Sequence, residues 1–271
     1  MEKTAVHKQF TFLADVSPKA QPFVIHSPSS DTLAILIHGF SSSPYTFHDL
    51  AEYLAKRGID SETVLLAGHG RDFKCLKKST AIDWYQSAER VLHKNQAKYK
   101  NIFVIGESFG SNVAIHLASH YPKLSGVVTL SIPVFLFKEK TIRFFLPLAA
   151  LVTTKYKKRW FDSKDMHQIK EFGRHLYLPI ASIKNFYKFI DTFTKKEAHK
   201  VRIPALIMHS RNDRVSQARS SQWLFEEIKN KNKELYLLDK ENHHLIYKTR
   251  SDLVFEKITT FIEKNRQNFD D

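Results

Sequence analysis

Gly106-Glu107-Ser108-Phe109-Gly110 decides the fold of this chain. The apolar run Asn101-Ile102-Phe103-Val104-Ile105 precedes it, and the periodic stretch Ser111-Asn112-Val113-Ala114-Ile115-His116-Leu117-Ala118 follows. That order predicts a strand, a sharp turn and a helix, with a serine at the apex. A G-x-S-x-G pentapeptide in this setting holds a hydroxyl out of the backbone where a base can reach it. Small residues two before and two after the serine let strand and helix pass closely. The pentapeptide alone is a weak motif; the flanking strand and helix are what give it meaning.

A serine hydroxyl is a poor nucleophile until an imidazole takes its proton, and the imidazolium needs a carboxylate to orient it. Downstream, Ala205-Leu206-Ile207-Met208-His209 reads as a buried strand running into the polar turn Ser210-Arg211-Asn212-Asp213-Arg214-Val215. Glu234-Leu235-Tyr236-Leu237-Leu238 reads as the last strand, followed by Asp239-Lys240-Glu241-Asn242-His243-His244. Acid and base thus fall just past strand ends, where parallel sheets place their ligand crevice. After the strand Val127–Leu130 the chain offers Ser131-Ile132-Pro133-Val134 and no carboxylate, which leaves Asp213 as the acid. Spacing alone does not separate His243 from His244, and Asp239 stands as the fallback acid.

Five stretches together resemble the monoacylglycerol lipase and carboxylesterase branch of the α/β-hydrolase superfamily, over nearly the whole chain. They are Ile37-His38-Gly39-Phe40, Gly68-His69-Gly70, the Ser108 pentapeptide, Asn212-Asp213-Arg214-Val215 and Asn242-His243-His244. The resemblance implies an α/β-hydrolase fold, a mostly parallel sheet with helices on both faces and a helical cap. Lining up the closing helix through Ile258-Thr259-Thr260-Phe261-Ile262 implies His243 as the base, with His244 where an aliphatic residue is usual. It also implies that the backbone N–H groups of Phe40 and Phe109 form the oxyanion hole, where losing one donor costs about 3–4 kcal/mol. His38 is then a hydrogen-bonded support, and Gly68-His69-Gly70 a structural loop. The catalytic set is therefore Ser108, Asp213 and His243.

Composition agrees with one large core: 271 residues, 42% of them hydrophobic. Apolar runs alternate between strand and helix at Leu33–Ile37, Asp49–Lys56, Asp60–Leu65, Ile82–Tyr99 and onward, the pattern of a parallel sheet covered on both sides. Thr80 with Asp83 resembles a capped helix start, and the first thirty residues read as antiparallel edge strands. The single cysteine, Cys75, excludes an intrachain disulfide. No glycine-rich phosphate loop, metal-ligand cluster or nucleic-acid module is visible, so the expected chemistry needs no cofactor or metal. The start of the chain lacks the apolar core of a signal peptide, and eighteen consecutive apolar residues occur nowhere, so a cytoplasmic protein is expected.

Net charge is +14, from 42 Lys and Arg against 28 Asp and Glu, which attracts acidic surfaces. The expected division is a core at 1–133 and 201–271 with a cap at 134–200. In that insertion Thr141-Ile142-Arg143-Phe144-Phe145-Leu146-Pro147-Leu148 precedes the basic run Lys155-Tyr156-Lys157-Lys158-Arg159-Trp160. An apolar cap would shelter an acyl chain, each buried methylene contributing about 0.8 kcal/mol, and its cations would rest on an anionic bilayer. Further on, Ser182–Ile190 has helical spacing suited to covering the pocket entrance. The implied partner is a small-molecule or lipid ester. No acid flanks Pro179 to read a glycerol headgroup, so lysophospholipase and short-chain carboxylesterase activities stay open. An acyltransferase on the same triad and a catalytically silent binding protein are the other readings.

Overall fold

The computed structural model describes residues 7–157, 171–239, 242–246 and 251–266. Strands β1 (His7–Phe10), β2 (Phe23–His26), β3 (Thr32–Ile37), β4 (Asp60–Val64), β5 (Asn101–Glu107) and β6 (Gly126–Leu130) are followed, beyond an insertion, by β9 (Ala205–Ser210) and β10 (Lys233–Leu238). Among the described residues these form one eight-stranded sheet in the order β1-β2-β4-β3-β5-β6-β9-β10. Every pairing from β4 through β10 is parallel, and β1 and β2 add antiparallel strands at one edge. The α/β arrangement expected from the sequence is the one observed.

Residues of β3 alternate between two cores. Leu33, Ile35 and Ile37 face α3 (Ala81–Asn95) and α4 (Phe109–His120), packing with Trp84, Ala88, Leu92, Val113 and Leu117. Ala34 and Leu36 face the other side, with Leu50 and Leu54 of α1 (His48–Ala55) and Phe255, Ile258 and Ile262 of the C-terminal helix (Ser251–Asn265). A strand buried on both faces must be apolar throughout, which is why β3 and β5 read as continuous apolar runs. Each fully buried Leu or Ile contributes roughly 1.5–3 kcal/mol. β4 is buried yet polar, because its groups are paired. Asp60 accepts from the Ser27 backbone N–H at 2.8 Å and from the Tyr99 hydroxyl at 2.7 Å, and Glu62 from Lys94 and Asn95, both at 2.8 Å. The helix start at Thr80 is a capping box with Asp83.

Between β6 and β9 the chain leaves the sheet. Helix α5 (Glu139–Val152) leads to an antiparallel ribbon of β7 (Lys155–Lys157) and β8 (Tyr177–Pro179). Helix α6 (Ile180–Phe189) follows and passes through a π-turn, Ile190–Thr194, and a short helical turn, Lys195–Glu197, back to the core. The orientation of α5 departs from expectation. Phe144, Phe145, Leu148 and Leu151 are 71, 55, 55 and 85% exposed, so these side chains face outward instead of covering the core. Leu146 turns inward against the core, and Arg143 holds α5 to the inner elements through Asp191 at 2.7 Å. Lys158, Arg159 and Trp160 of the basic run lie outside the described residues. Among the described residues no helix is long and apolar enough to cross a membrane.

Candidate active site

Ser108 sits between β5 and α4 with φ 51° and ψ −123°, a strained conformation for a residue with a Cβ. The neighbours over-determine it. The Ser108 N–H donates to the Leu130 carbonyl at 2.7 Å, and the Ser111 hydroxyl donates to the Gly106 carbonyl at 2.7 Å. A Cβ on Gly106 would lie 2.3 Å from the Gly110 carbonyl carbon, and one on Gly110 would lie 2.0 Å from the Ile37 carbonyl oxygen. Strand and helix can cross this closely only with glycine at both places.

His243 Nε2 lies 2.9 Å from Ser108 Oγ, and His243 Nδ1 lies 2.7 Å from Asp213 Oδ2. A carboxylate only accepts, so Nδ1 carries the proton and Nε2 is left to accept from the serine hydroxyl. The structure therefore brings Ser108, His243 and Asp213 into one hydrogen-bonded chain. Asp239 lies elsewhere, largely exposed and paired with Arg211 at 2.9 Å.

Asp213 is 3% exposed. Burial pushes its carboxyl up, but hydrogen bonds from His209 and His243 outweigh this and hold it well below the usual carboxylate range. The other oxygen, Oδ1, accepts from the backbone N–H groups of Val215 and Ser216 at 2.7 and 3.0 Å. His209, on β9, is a donor the sequence reading does not identify. Its Nε2 lies 3.1 Å from Asp213 Oδ2 while Nδ1 contacts the Ser221 hydroxyl at 2.7 Å.

The loop after β3 closes on the serine from the other side. A Cβ on Gly39 would lie 3.1 Å from Ser108 Cβ. His38 is fully buried and fixes this loop. Its Nε2 accepts from the Leu66 N–H at 3.2 Å, so Nδ1 carries the proton and donates to the Gly39 carbonyl at 2.9 Å. Burial pushes the His38 imidazole down to about 4, keeping it neutral. The Gly39 carbonyl shares a trans peptide plane with the Phe40 N–H, so His38 also sets the direction of that donor. The Phe109 N–H opens α4, where the first N–H groups have no intrahelical partner. Phe186 of α6 rests on both residues, with ring centroids 5.6 Å from Phe40 and 5.3 Å from Phe109.

His244 does not join the serine. Its Nδ1 lies 3.1 Å from Oε1 of Glu107, a fully buried carboxylate whose Oε2 accepts no hydrogen bond from the described residues. Burial pushes Glu107 up, yet His244, and then His243 and Arg174, bring it below its ordinary value. Neither Glu107 nor its pairing is signalled by the motif, which leaves that position open. Open surface grooves flank these elements. One of about 450 Å³ borders Asp213, Asn212 and Asn242, and one of about 400 Å³ lies between α5 and α6, lined by Arg143, Leu146, Lys184 and Tyr187.

Known proteins share this architecture. The chain is 26% identical over 252 residues to a thermostable monoacylglycerol lipase of Bacillus sp. (strain H-257), covering 91% of this chain and 95% of that one. It is 23% identical over 251 residues to a carboxylesterase of Bacillus subtilis (strain 168), covering 92% and 98%. Among solved structures, one from work on LipS and LipT, two metagenome-derived lipolytic enzymes, superposes with a TM-score of 0.81 at 25% identity, covering 92% and 99%. Residues 28–250 match the family described as Hydrolase_4, serine aminopeptidase S33, and the chain belongs to that α/β-hydrolase family.

Proposed function

We propose that this chain hydrolyses carboxylic esters with a hydrophobic acyl group through an acyl-enzyme. The observation that carries the reading is the hydrogen-bonded run from Ser108 through His243 to Asp213, at 2.9 and 2.7 Å. Ser108 Oγ attacks the ester carbonyl carbon as its proton passes to His243 Nε2. Asp213 stabilises the imidazolium. The backbone N–H groups of Phe40 and Phe109 hold the oxyanion, and the C–O bond breaks as His243 protonates the departing alcohol. Water, deprotonated by the same imidazole, then releases the acid and restores Ser108. The names of the two Bacillus relatives support an ester as the substrate.

On this reading residues 134–200 act as the lid over a core of 1–133 and 201–271. Phe40, Phe109 and Phe186 form an aromatic cluster behind the two backbone donors, and apolar surroundings there favour an acyl chain over a polar group. The outward face of α5, with Phe144, Phe145, Leu148 and Leu151 beside Lys155 and Lys157, is suited to resting on an anionic lipid surface. The test is a rate series on p-nitrophenyl esters of rising chain length, on monoacylglycerols and on an aminoacyl p-nitroanilide. The expected result is ester turnover rising with chain length beyond acetate, with little anilide cleavage. Faster cleavage of the anilide than of every ester would overturn the ester assignment.

A further inference from the structure

At the far end of α4 from Ser108, two histidines and a glutamate converge. His116 and His120 are one helical turn apart on one face, with ring centroids 4.5 Å apart. Glu197 comes from the turn where the insertion rejoins the core, 81 residues further along the chain from His116. His116 Nδ1 lies 2.5 Å from Glu197 Oε2, and His120 Nε2 lies 3.9 Å from Oε1. His120 Nδ1 donates to the His116 carbonyl at 2.9 Å, which leaves Nε2 as the nitrogen facing the carboxylate. We infer that His116, His120 and Glu197 form a binding site for a divalent transition ion such as zinc, cross-linking the nucleophile helix to the root of the lid.

The donors suit that class of ion. Two imidazoles and a carboxylate, with a fourth position open to water, make a common zinc set, and imidazole favours zinc, nickel and copper over magnesium or calcium. Ligands about 2.0 Å from a tetrahedral ion sit about 3.3 Å apart, so the 2.5 Å contact of His116 Nδ1 with Glu197 Oε2 has to open on binding, while His120 Nε2 now lies 3.9 Å from the other carboxylate oxygen. One ligand atom from each residue already lies within 4.8 Å of the others. The surroundings hold two of the ligands in place. The His116 ring packs between Tyr85, at 4.3 Å, and Phe193, at 4.5 Å, and the Ser119 hydroxyl reaches Glu197 Oε2 at 3.4 Å. His120 is half-exposed, which gives an ion a way in. Lys200 Nζ, 3.8 Å from Glu197 Oε1, is the cation an ion would displace.

This inference is independent of the ester reading, because the cluster lies away from the serine. The test is calorimetric titration of chelator-stripped full-length protein with zinc chloride, alongside thermal unfolding. Wild type should take up one zinc per chain, and at zinc 100-fold above Kd its melting temperature should rise by about 5–10 °C. His120→Gln keeps the buried His116–Glu197 pair and so should fold. It should bind zinc roughly 100-fold more weakly, since even removing an outer-shell partner costs 10–100-fold. Glu197→Gln should lose binding as well. No zinc uptake by wild type, or uptake unchanged in both variants, would overturn the assignment and leave the cluster an ion pair.

Discussion

Glu107 and His244 form a carboxylate–imidazole pair, 3.1 Å apart, immediately beside the Asp213–His243 pair. One partner precedes the serine in sequence, and the other follows the histidine that reaches it. The two histidines therefore have separate acids, and on the proposed mechanism only His243 takes the serine proton. His243→Ala should lower ester turnover by several orders of magnitude, as removal of a triad member does. His244→Ala should lower it no more than about tenfold, because its imidazole does not touch Ser108. Steady-state kinetics on one soluble ester checks both, and the reverse ranking would move the base to His244.

Asp213 gains from two imidazoles, and its substitutions should rank accordingly. Asp213→Asn should cost about 10⁴ in kcat, because an amide at this position stabilises the wrong tautomer of His243. His209→Ala should cost far less, since the His243 bond and the two backbone donors remain. The Asp213 carboxyl is lowered in the folded state, so its contribution to stability is present above its unfolded value of about 3.9 and is lost as pH falls through the folded value. The melting-temperature gap between wild type and Asp213→Asn should therefore narrow as pH falls below about 4. A gap independent of pH from 7 down to 3 would contradict this.

Gly110→Ala places a methyl carbon 2.0 Å from the Ile37 carbonyl oxygen, which is backbone and cannot swing aside. The substitution should destabilise the fold by about 3 kcal/mol or more, visible in urea unfolding. Gly58 has open space around its Cβ position but a φ of +76°, so Gly58→Ala should cost less, from backbone strain alone. Equal losses would mean that the crossing at the elbow is looser than the structure has it.

The exposed face of α5 predicts a separation between chemistry and surface binding. Replacing Phe144 and Phe145 with serine should leave p-nitrophenyl acetate hydrolysis within about twofold of wild type, since neither ring is packed inward. The same variant should sediment less with anionic phosphatidylserine vesicles, and neutralising Lys155 and Lys157 should make the remaining binding less sensitive to salt. Vesicle binding unchanged in both variants would make this face an ordinary solvated one.

Much of the sheet is legible in the sequence, because β3, β5, β6 and β9 are buried on both faces and must be apolar throughout. The elbow is legible because the glycine spacing and the change of period coincide at Ser108. The turn acid and the terminal histidines are legible because strand ends converge on one edge of a parallel sheet. Pairings across the fold are less accessible. Glu107 and His244 stand 137 positions apart, and nothing local in either stretch signals their contact. His209 reads as one more residue of a buried strand until the turn at Asp213 folds back over it. The orientation of α5 escapes for another reason. Its apolar residues occupy more than one face, so periodicity alone does not say which face turns inward.

The central claim is that Ser108 is the nucleophile, and the most direct measurement is covalent labelling by a fluorophosphonate probe, read by intact-protein mass. Wild type should gain one adduct per chain and lose ester turnover in step with labelling. Ser108→Ala should take up no probe and hydrolyse no ester, while melting within a few degrees of wild type, since one hydroxyl contributes little packing. Labelling or turnover of the folded alanine variant at the wild-type rate would contradict the account.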